Sequence, residues 1–307
     1  MTFPMNIIET DRLTRRFRAT EAVHALTLAV PTGSVFALLG PNGAGKTTTL
    51  KMLANLLLPT AGSARVLGVD SRKLGERELA QLGYVSEDQR LPDWMTVTQL
   101  LGYCRPFYPT WDADLEAKLL VRFELPADRK LSQLSRGMRM KAALLSSLAY
   151  RPKLLVLDEP FSGLDPVVRD DLTAGLLEAA QLGETTVLVS SHDIEEVERL
   201  ADHVALLDGG RLRFSETTEA LLGRFRRIEV DYEGTVDSSS LPESWLGWSS
   251  GGGRAVFVET AFQSEHTERA CRERFPLARV RAHPMTLREI FITLARAGRH
   301  STEEIAR

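Results

Sequence analysis

The sequence predicts an α/β fold organised around a mainly parallel sheet, and three observations carry that expectation. Val35-Phe36-Ala37-Leu38-Leu39 is an unbroken apolar run that ends in Gly40 and passes through a glycine-rich loop into 47–58, where apolar residues return at helical spacing. Further short apolar runs at 154–157, 185–190 and 204–207 alternate with helix-patterned stretches at 167–181 and 193–201. The chain of 307 residues is long enough for roughly two domains of ~150 residues, each with its own core.

In chain order, the first strand, loop and helix lead to a segment at about 89–150 that carries helical patterning and few strand signals. It reads as an inserted helical subdomain, in which Trp94, Tyr103, Phe107, Tyr108 and Trp111 cluster. After Gly209-Gly210, Arg211 to Phe214 reads as an edge strand, and near Gly223 the strand–helix alternation stops. The expected first domain is therefore 1–222, and 223–307 forms a small α+β accessory domain. In that domain strands are expected at 227–232, 255–259 and 279–282, a Ser/Gly-rich connection at about 237–253 and a helix at 264–275. Thr286 followed by Glu289 is a capping-box pattern, and Leu287, Ile290, Phe291 and Leu294 then line one helical face.

Composition excludes several classes. Hydrophobic residues at 43% and charged residues at 26% describe an ordinary folded chain. With 38 Lys+Arg against 41 Asp+Glu the net charge is −3, so no overall positive field draws the chain to nucleic acid. Cys104 and Cys271 have neither metal-ligand spacing nor the numbers for a disulfide framework, which fits a reducing cytoplasm. The N-terminus lacks the apolar run of a secretory signal, and no apolar stretch reaches the ~18 residues of a membrane span. A membrane role is expected to come from a partner.

Gly40-Pro41-Asn42-Gly43-Ala44-Gly45-Lys46-Thr47 satisfies GxxxxGK(S/T) between an expected strand and an expected helix. Glycines let the backbone wrap phosphate oxygens, the helix start favours the anion, Lys46 reaches the β and γ phosphates, and Thr47 ligates magnesium. Thr48 adds a phosphate contact. Leu154-Leu155-Val156-Leu157-Asp158-Glu159 delivers two carboxylates to the C-terminal end of a buried strand, where ligands of open α/β sheets bind. Asp158 suits magnesium and Glu159 suits the attacking water. These features still allow a GTPase, a nucleotide kinase or a helicase. Asn6, Asn42 and Asn55 are the only asparagines and none precedes lysine, so a guanine-reading NKxD is absent.

The order of the remaining motifs resembles the ATP-binding cassette family, over about Ile7 to Leu222. The resemblance implies a Q-loop at Gly83-Tyr84-Val85-Ser86-Glu87, a signature motif at Leu134-Ser135-Arg136-Gly137-Met138, a D-loop at Ser162-Gly163-Leu164-Asp165 and a switch histidine at His192. It implies that Phe17 stacks on adenine, with a half-buried core phenylalanine as the alternative. It also implies that Ser135, the Gly137 backbone and Asp165 serve the nucleotide site of a second copy.

Three residues depart from the family pattern. Arg136 and Met138 replace glycine and glutamine of LSGGQ, and Glu87 stands where the family has glutamine, with Gln89 two residues on. Glu87 as a third magnesium ligand beside Thr47 and Asp158 would crowd three carboxylates, Glu159 included, around one ion.

What the resemblance implies is an ATPase using ATP and Mg2+, with Lys46, Glu159 and His192 at the chemistry. It further implies a homodimer or paired cassette peripheral to the cytoplasmic face of the inner membrane, driving an integral permease, most like bacterial ABC-2-type exporters. The helical subdomain is where the family docks a membrane partner, so the Trp94 cluster lines either that groove or a local core. A soluble cassette acting on ribosomes or DNA, or a weakly hydrolytic regulatory cassette, are the alternatives. His266 and His283 are isolated and suggest surface or packing roles.

Overall fold

The protein is described by a computed structural model covering residues 6–181, 185–233, 241–275, 277–294 and 296. The chain opens with β1 (Asn6–Phe17), β2 (Thr20–Pro31), β3 (Val35–Leu39), α1 (Lys46–Leu53), β4 (Ala61–Val66) and β5 (Val69–Asp70). Four of these strands form an antiparallel sheet in the order β2-β1-β4-β5. The sequence reading places no strand there. The reason is local: the β1–β2 register slips between Thr10 and Leu13 and Arg12 adopts a φ of 45°, which interrupts the period-2 alternation that identifies a strand.

The chain continues through α2 (Glu76–Leu79), β6 (Leu82–Ser86), α3 (Val97–Cys104), α4 (Ala113–Arg122) and α5 (Arg136–Leu148). It then forms β7 (Leu154–Asp158), α6 (Pro166–Gln181), β8 (Thr186–Ser191), β9 (His203–Asp208) and β10 (Arg211–Thr217). A second sheet has the order β10-β9-β3-β8-β7-β6, with β9-β3, β3-β8, β8-β7 and β7-β6 all parallel. Every residue of β3, β7 and β8 is buried, which explains their continuous apolar runs. Helices α3, α4 and α5 occupy the stretch between β6 and β7.

One helical expectation shortens and another is overturned. The helix expected over 47–58 ends at Leu53, and Asn55 takes a left-handed φ of 58° that stops it. The stretch 193–201 forms turns instead of a helix. Val197 and Leu200 N–H groups donate three residues back while Glu198 and Ala201 donate four back, and Asp193 turns its carboxylate onto Glu195 N at 3.0 Å.

The chain divides into two compact units, Met1–Ser215 and Glu216–Arg307. The second contains α7 (Thr218–Arg224), β11 (Arg226–Asp231), β12 (Trp245–Gly251), β13 (Arg254–Glu259), α8 (Ser264–Arg274) and β14 (Arg279–Pro284), then a helix over 287–294. Its antiparallel sheet runs β12-β13-β11-β14 around a core of Ile228, Val230, Trp245, Phe257, Cys271 and Phe275. β12 lies inside the expected Ser/Gly-rich connection, of which 237–240 fall outside the described residues. Its composition hides the strand, but Trp245 stacks on Phe257 at 4.0 Å and holds it to the core. The Thr286–Glu289 capping box is formed, with Glu289 N donating to Thr286 Oγ1 at 3.2 Å and Thr286 N to Glu289 Oε2 at 2.8 Å. No helix among the described residues is long and apolar enough to cross a membrane.

Candidate active site

Four adjacent parallel strands deliver the chemistry at their C-terminal ends. Gly40 follows β3, Asp158 and Glu159 close β7, Ser191 and His192 close β8, and Glu87 follows β6. Because β8 lies between β3 and β7, the histidine loop is flanked by the glycine-rich loop on one side and the paired carboxylates on the other. Register makes this concrete: Leu39 sits opposite Ser191, Asp158 opposite Ser190, and Ser86 opposite Asp158.

The loop Gly40–Gly45 is shaped for close backbone approach. Gly45 has a φ of 98°, and a Cβ there would sit 2.3 Å from the Ala22 carbonyl oxygen, so only glycine fits. Pro41, Asn42 and Gly43 are exposed, Ala44 is buried, and Thr47 and Thr48 open the first turn of α1. Lys46 is buried, and its Nζ donates to Gly40 O at 2.7 Å and Pro41 O at 3.2 Å while lying 3.0 Å from Glu159 Oε1.

Asp158 is buried, and its Oδ1 accepts from Thr47 Oγ1 at 2.9 Å and Ser190 Oγ at 2.8 Å. Burial pushes its carboxyl above the usual range, an effect the Ser190 and Thr47 hydroxyls partly offset. A hydroxyl and a carboxylate converging at the start of α1 are hard oxygen donors that fit a small divalent cation such as magnesium. Among the described residues no group of three or more His, Cys, Asp or Glu side chains forms a metal cluster. Glu159 and Glu87, the other two carboxylates of the expected cation site, each turn to other partners.

Glu159 Oε2 accepts from the His192 backbone N–H at 3.3 Å and lies 2.8 Å from His192 Nδ1. The carboxylate thus bridges Lys46 and His192. Glu87 instead has its Oε1 engaged by Arg136 Nη2 and by Ser162 Oγ, the latter at 3.0 Å. Ser135 caps α5, accepting from Met138 N at 3.2 Å. Gly137 lies at the α5–α6 contact, where an added Cβ would stand 3.0 Å from Val168 Cγ1. Asp165 caps α6 by accepting from Val168 N at 3.0 Å, with Pro166 in the first helical position. Phe17 is 43% exposed at the end of β1, and the Arg15 guanidinium covers it at 4.5 Å from the ring centroid.

Two contributors escape sequence reasoning. Ser190 bonds Asp158 and also accepts from Glu159 N at 3.0 Å, so one buried hydroxyl orients both carboxylate residues. The polar pair Ser190-Ser191 ending an apolar run was the available signal. Glu196, only 2% exposed at its side chain, accepts from Ser191 Oγ at 2.6 Å and sits 3.4 Å from Arg169, whose Nε donates to Leu164 O at 3.0 Å. Those bonds connect the histidine loop to the start of α6.

The aromatic cluster splits. Tyr108 stacks on Tyr150 at 3.8 Å and Trp111 Nε1 donates to Glu116 Oε2 at 2.6 Å, whereas Trp94, Tyr103 and Phe107 stay exposed.

The profile of the ABC transporter family matches residues 23–162. A daunorubicin/doxorubicin resistance ATP-binding protein of Streptomyces peucetius is 36% identical over 72% of this chain and 68% of its own length. A Nod factor export ATP-binding protein of Neorhizobium galegae is 33% identical over 95% of this chain and 85% of its own. Among solved structures, the ATP-binding subunit of an ABC transporter superposes with a TM-score of 0.64 at 28% identity, covering 70% of this chain and 91% of that one. A dimeric ATP-binding cassette in a post-hydrolysis state with ADP and phosphate shares the fold, with a TM-score of 0.61 at 22% identity over 68% of this chain and 98% of that one.

Proposed function

The chain belongs to the ABC transporter family of ATP-binding proteins, and from that membership we propose that it powers an exporter, as one of two cassettes paired beneath a separate membrane-spanning permease. The reaction is ATP hydrolysis. The observation that carries the site reading is the Glu159 carboxylate held between Lys46 and His192 at the ends of three adjacent strands.

In this reading the loop 40–45 and Thr48 hold the phosphates, Phe17 offers a ring face to adenine, and Lys46 draws the γ-phosphate toward Glu159. Glu159 takes a proton from the water as its oxygen attacks the γ-phosphorus; the bond to the ADP oxygen breaks, giving ADP and phosphate, and the proton passes from Glu159 to solvent. His192 orients that carboxylate and the γ-phosphate. Thr47 and Asp158 would hold magnesium, which when bound neutralises charge on the β and γ phosphates. One chain carries one glycine-rich loop and one signature segment, so Ser135, Gly137 and Asp165 are assigned to the site of the paired copy.

The relatives named for drug resistance and Nod factor export favour outward transport. A permease contact is supported by the exposed Leu56, Leu58, Leu79, Trp94, Tyr103 and Phe107, and by a cavity of about 280 Å3 bordered by Leu56, Leu79, Cys104, Tyr108 and Tyr150. Such a chain would sit peripherally on the cytoplasmic face of the membrane.

The test is affinity purification of the tagged Glu159→Gln protein with ATP from detergent-solubilised native membranes, followed by mass spectrometry. A stoichiometric polytopic protein is the expected companion. Recovery in the soluble fraction with ribosomal or DNA-bound proteins overturns the transporter reading.

A further inference from the structure

We propose that Glu87 and Arg136 are positioning residues whose ion pair, buttressed by Ser162, ties three loop segments of one cassette together and keeps the Glu87 carboxylate off the cation site formed by Thr47 and Asp158. Both residues break the family pattern, an acid replacing glutamine and a cation replacing glycine. They lie 49 positions apart in the chain, yet Arg136 Nη2 donates to Glu87 Oε1. Two departures that each look like damage are one charge-compensated contact.

The geometry explains why an acid at 87 needs a counter-charge. Glu87 N donates to Asp158 O at 3.0 Å, and the preceding Ser86 is the register partner of Asp158. A free carboxylate at that point would stand near an aspartate that is already buried, and like charges at short range repel strongly where water is scarce. Arg136 supplies the opposite charge from the first residue of α5. Ser162 Oγ donates to the same Glu87 oxygen at 3.0 Å, bringing in the loop between β7 and α6.

Gly163 makes room for this arrangement. Its φ is 65°, and a Cβ there would lie 2.8 Å from Arg136 Nη1, so the guanidinium rests directly against that loop. The three segments joined are the one following β6, the start of α5 and the one following β7. The side chains of Arg136 and Glu87 are 53% and 36% exposed, so the link is screened by salt and adds little to global stability. Its value is positional. The functional consequence rests on the ATPase reading above; the contact itself does not.

The experiment is a double-mutant cycle in the full chain with Glu87→Gln, Arg136→Gln and the double variant, with Arg136→Lys as a charge-preserving control. Two quantities read the pair: the thermal midpoint without nucleotide at low and high salt, and the Mg2+ concentration for half-maximal binding of a fluorescent ATP analogue; ATP hydrolysis by the parent protein is assayed alongside.

Arg136→Gln is expected to free Glu87 as a competing oxygen ligand and shift the Mg2+ midpoint at least threefold. Arg136→Lys and the double variant should return it to within twofold of the parent. The midpoint losses of the two single variants should exceed that of the double, and this excess should shrink in high salt.

Strictly additive effects on both readouts overturn the proposal. So does a severalfold rise in the Mg2+ midpoint for Glu87→Gln with no response to Arg136→Gln, which would make Glu87 a direct cation ligand. Coupling between 87 and 136 in a protein that binds nucleotide without hydrolysing it would support the ion pair while removing the hydrolytic reading.

Discussion

Glu159 holds a backbone φ of 52°, a conformation that costs a non-glycine residue energy and persists only where its surroundings enforce it. Ser190 on its N–H and the Lys46 and His192 contacts on its carboxylate are that enforcement. Glu159→Gln should keep ATP binding and lower the hydrolysis rate by about 10²–10⁴-fold, the usual range for removing a general base; a single-turnover assay with unchanged rate would refute the assignment.

Asp158 tests the opposite balance between function and stability. Burial raises its folded pKa above the unfolded value, so its contribution favours folding below the unfolded carboxylate range and is lost as pH rises through the folded value. At neutral pH the ionised group therefore opposes folding. Asp158→Asn should raise the thermal midpoint by a few degrees at pH 7.5 without Mg2+, with the gain fading below about pH 4. A lowered midpoint at pH 7.5 would contradict it. Residue identities at this scale were legible because phosphate and cation chemistry demands particular side chains at short spacing. Ser190 and the Glu87–Arg136 pair were not, since a serine pair closing an apolar run does not say which carboxylates it will meet and the ion pair joins distant positions.

At the scale of elements, caps set where the chemistry starts. Ser135→Ala and Asp165→Ala each remove a side-chain acceptor from a helix N-terminus and should cost about 1 kcal/mol of stability. Urea titrations of the two variants measure this, and losses below a few tenths of a kcal/mol would show the caps to be idle. Strands β3, β7 and β8 were readable from apolar runs, because strands buried on both faces need no alternation, and the half-buried β9 was readable from the apolar run 204–207. The β2-β1-β4-β5 sheet was not, because register slips and positive φ angles scatter its pattern. The stretch 193–201 carried helical spacing, yet Ser191 and Asp193 side chains captured its first N–H groups and left turns.

For the whole molecule, Glu216–Arg307 has its own sheet and its own aromatic core. Expressed alone, this segment should unfold cooperatively, with blue-shifted emission from Trp245, which is buried against Phe257. Non-cooperative unfolding with solvent-like emission would show that the unit depends on the rest of the chain. By itself the sequence determined the α/β class and the nucleotide chemistry, because the apolar runs, the loop 40–47 and the Asp158-Glu159 pair are local patterns of a few neighbours; the other candidate residues were named through the order of motifs along the chain. Only the tertiary structure decided which side chains meet: that Glu159 lies between Lys46 and His192, that Ser190 serves both acidic residues, and that Glu87 turns to Arg136 instead of the cation site. Those partners come from strand ends and helix starts far apart in the chain, and the strand order, register and helix packing that bring them together are recorded by no local spacing.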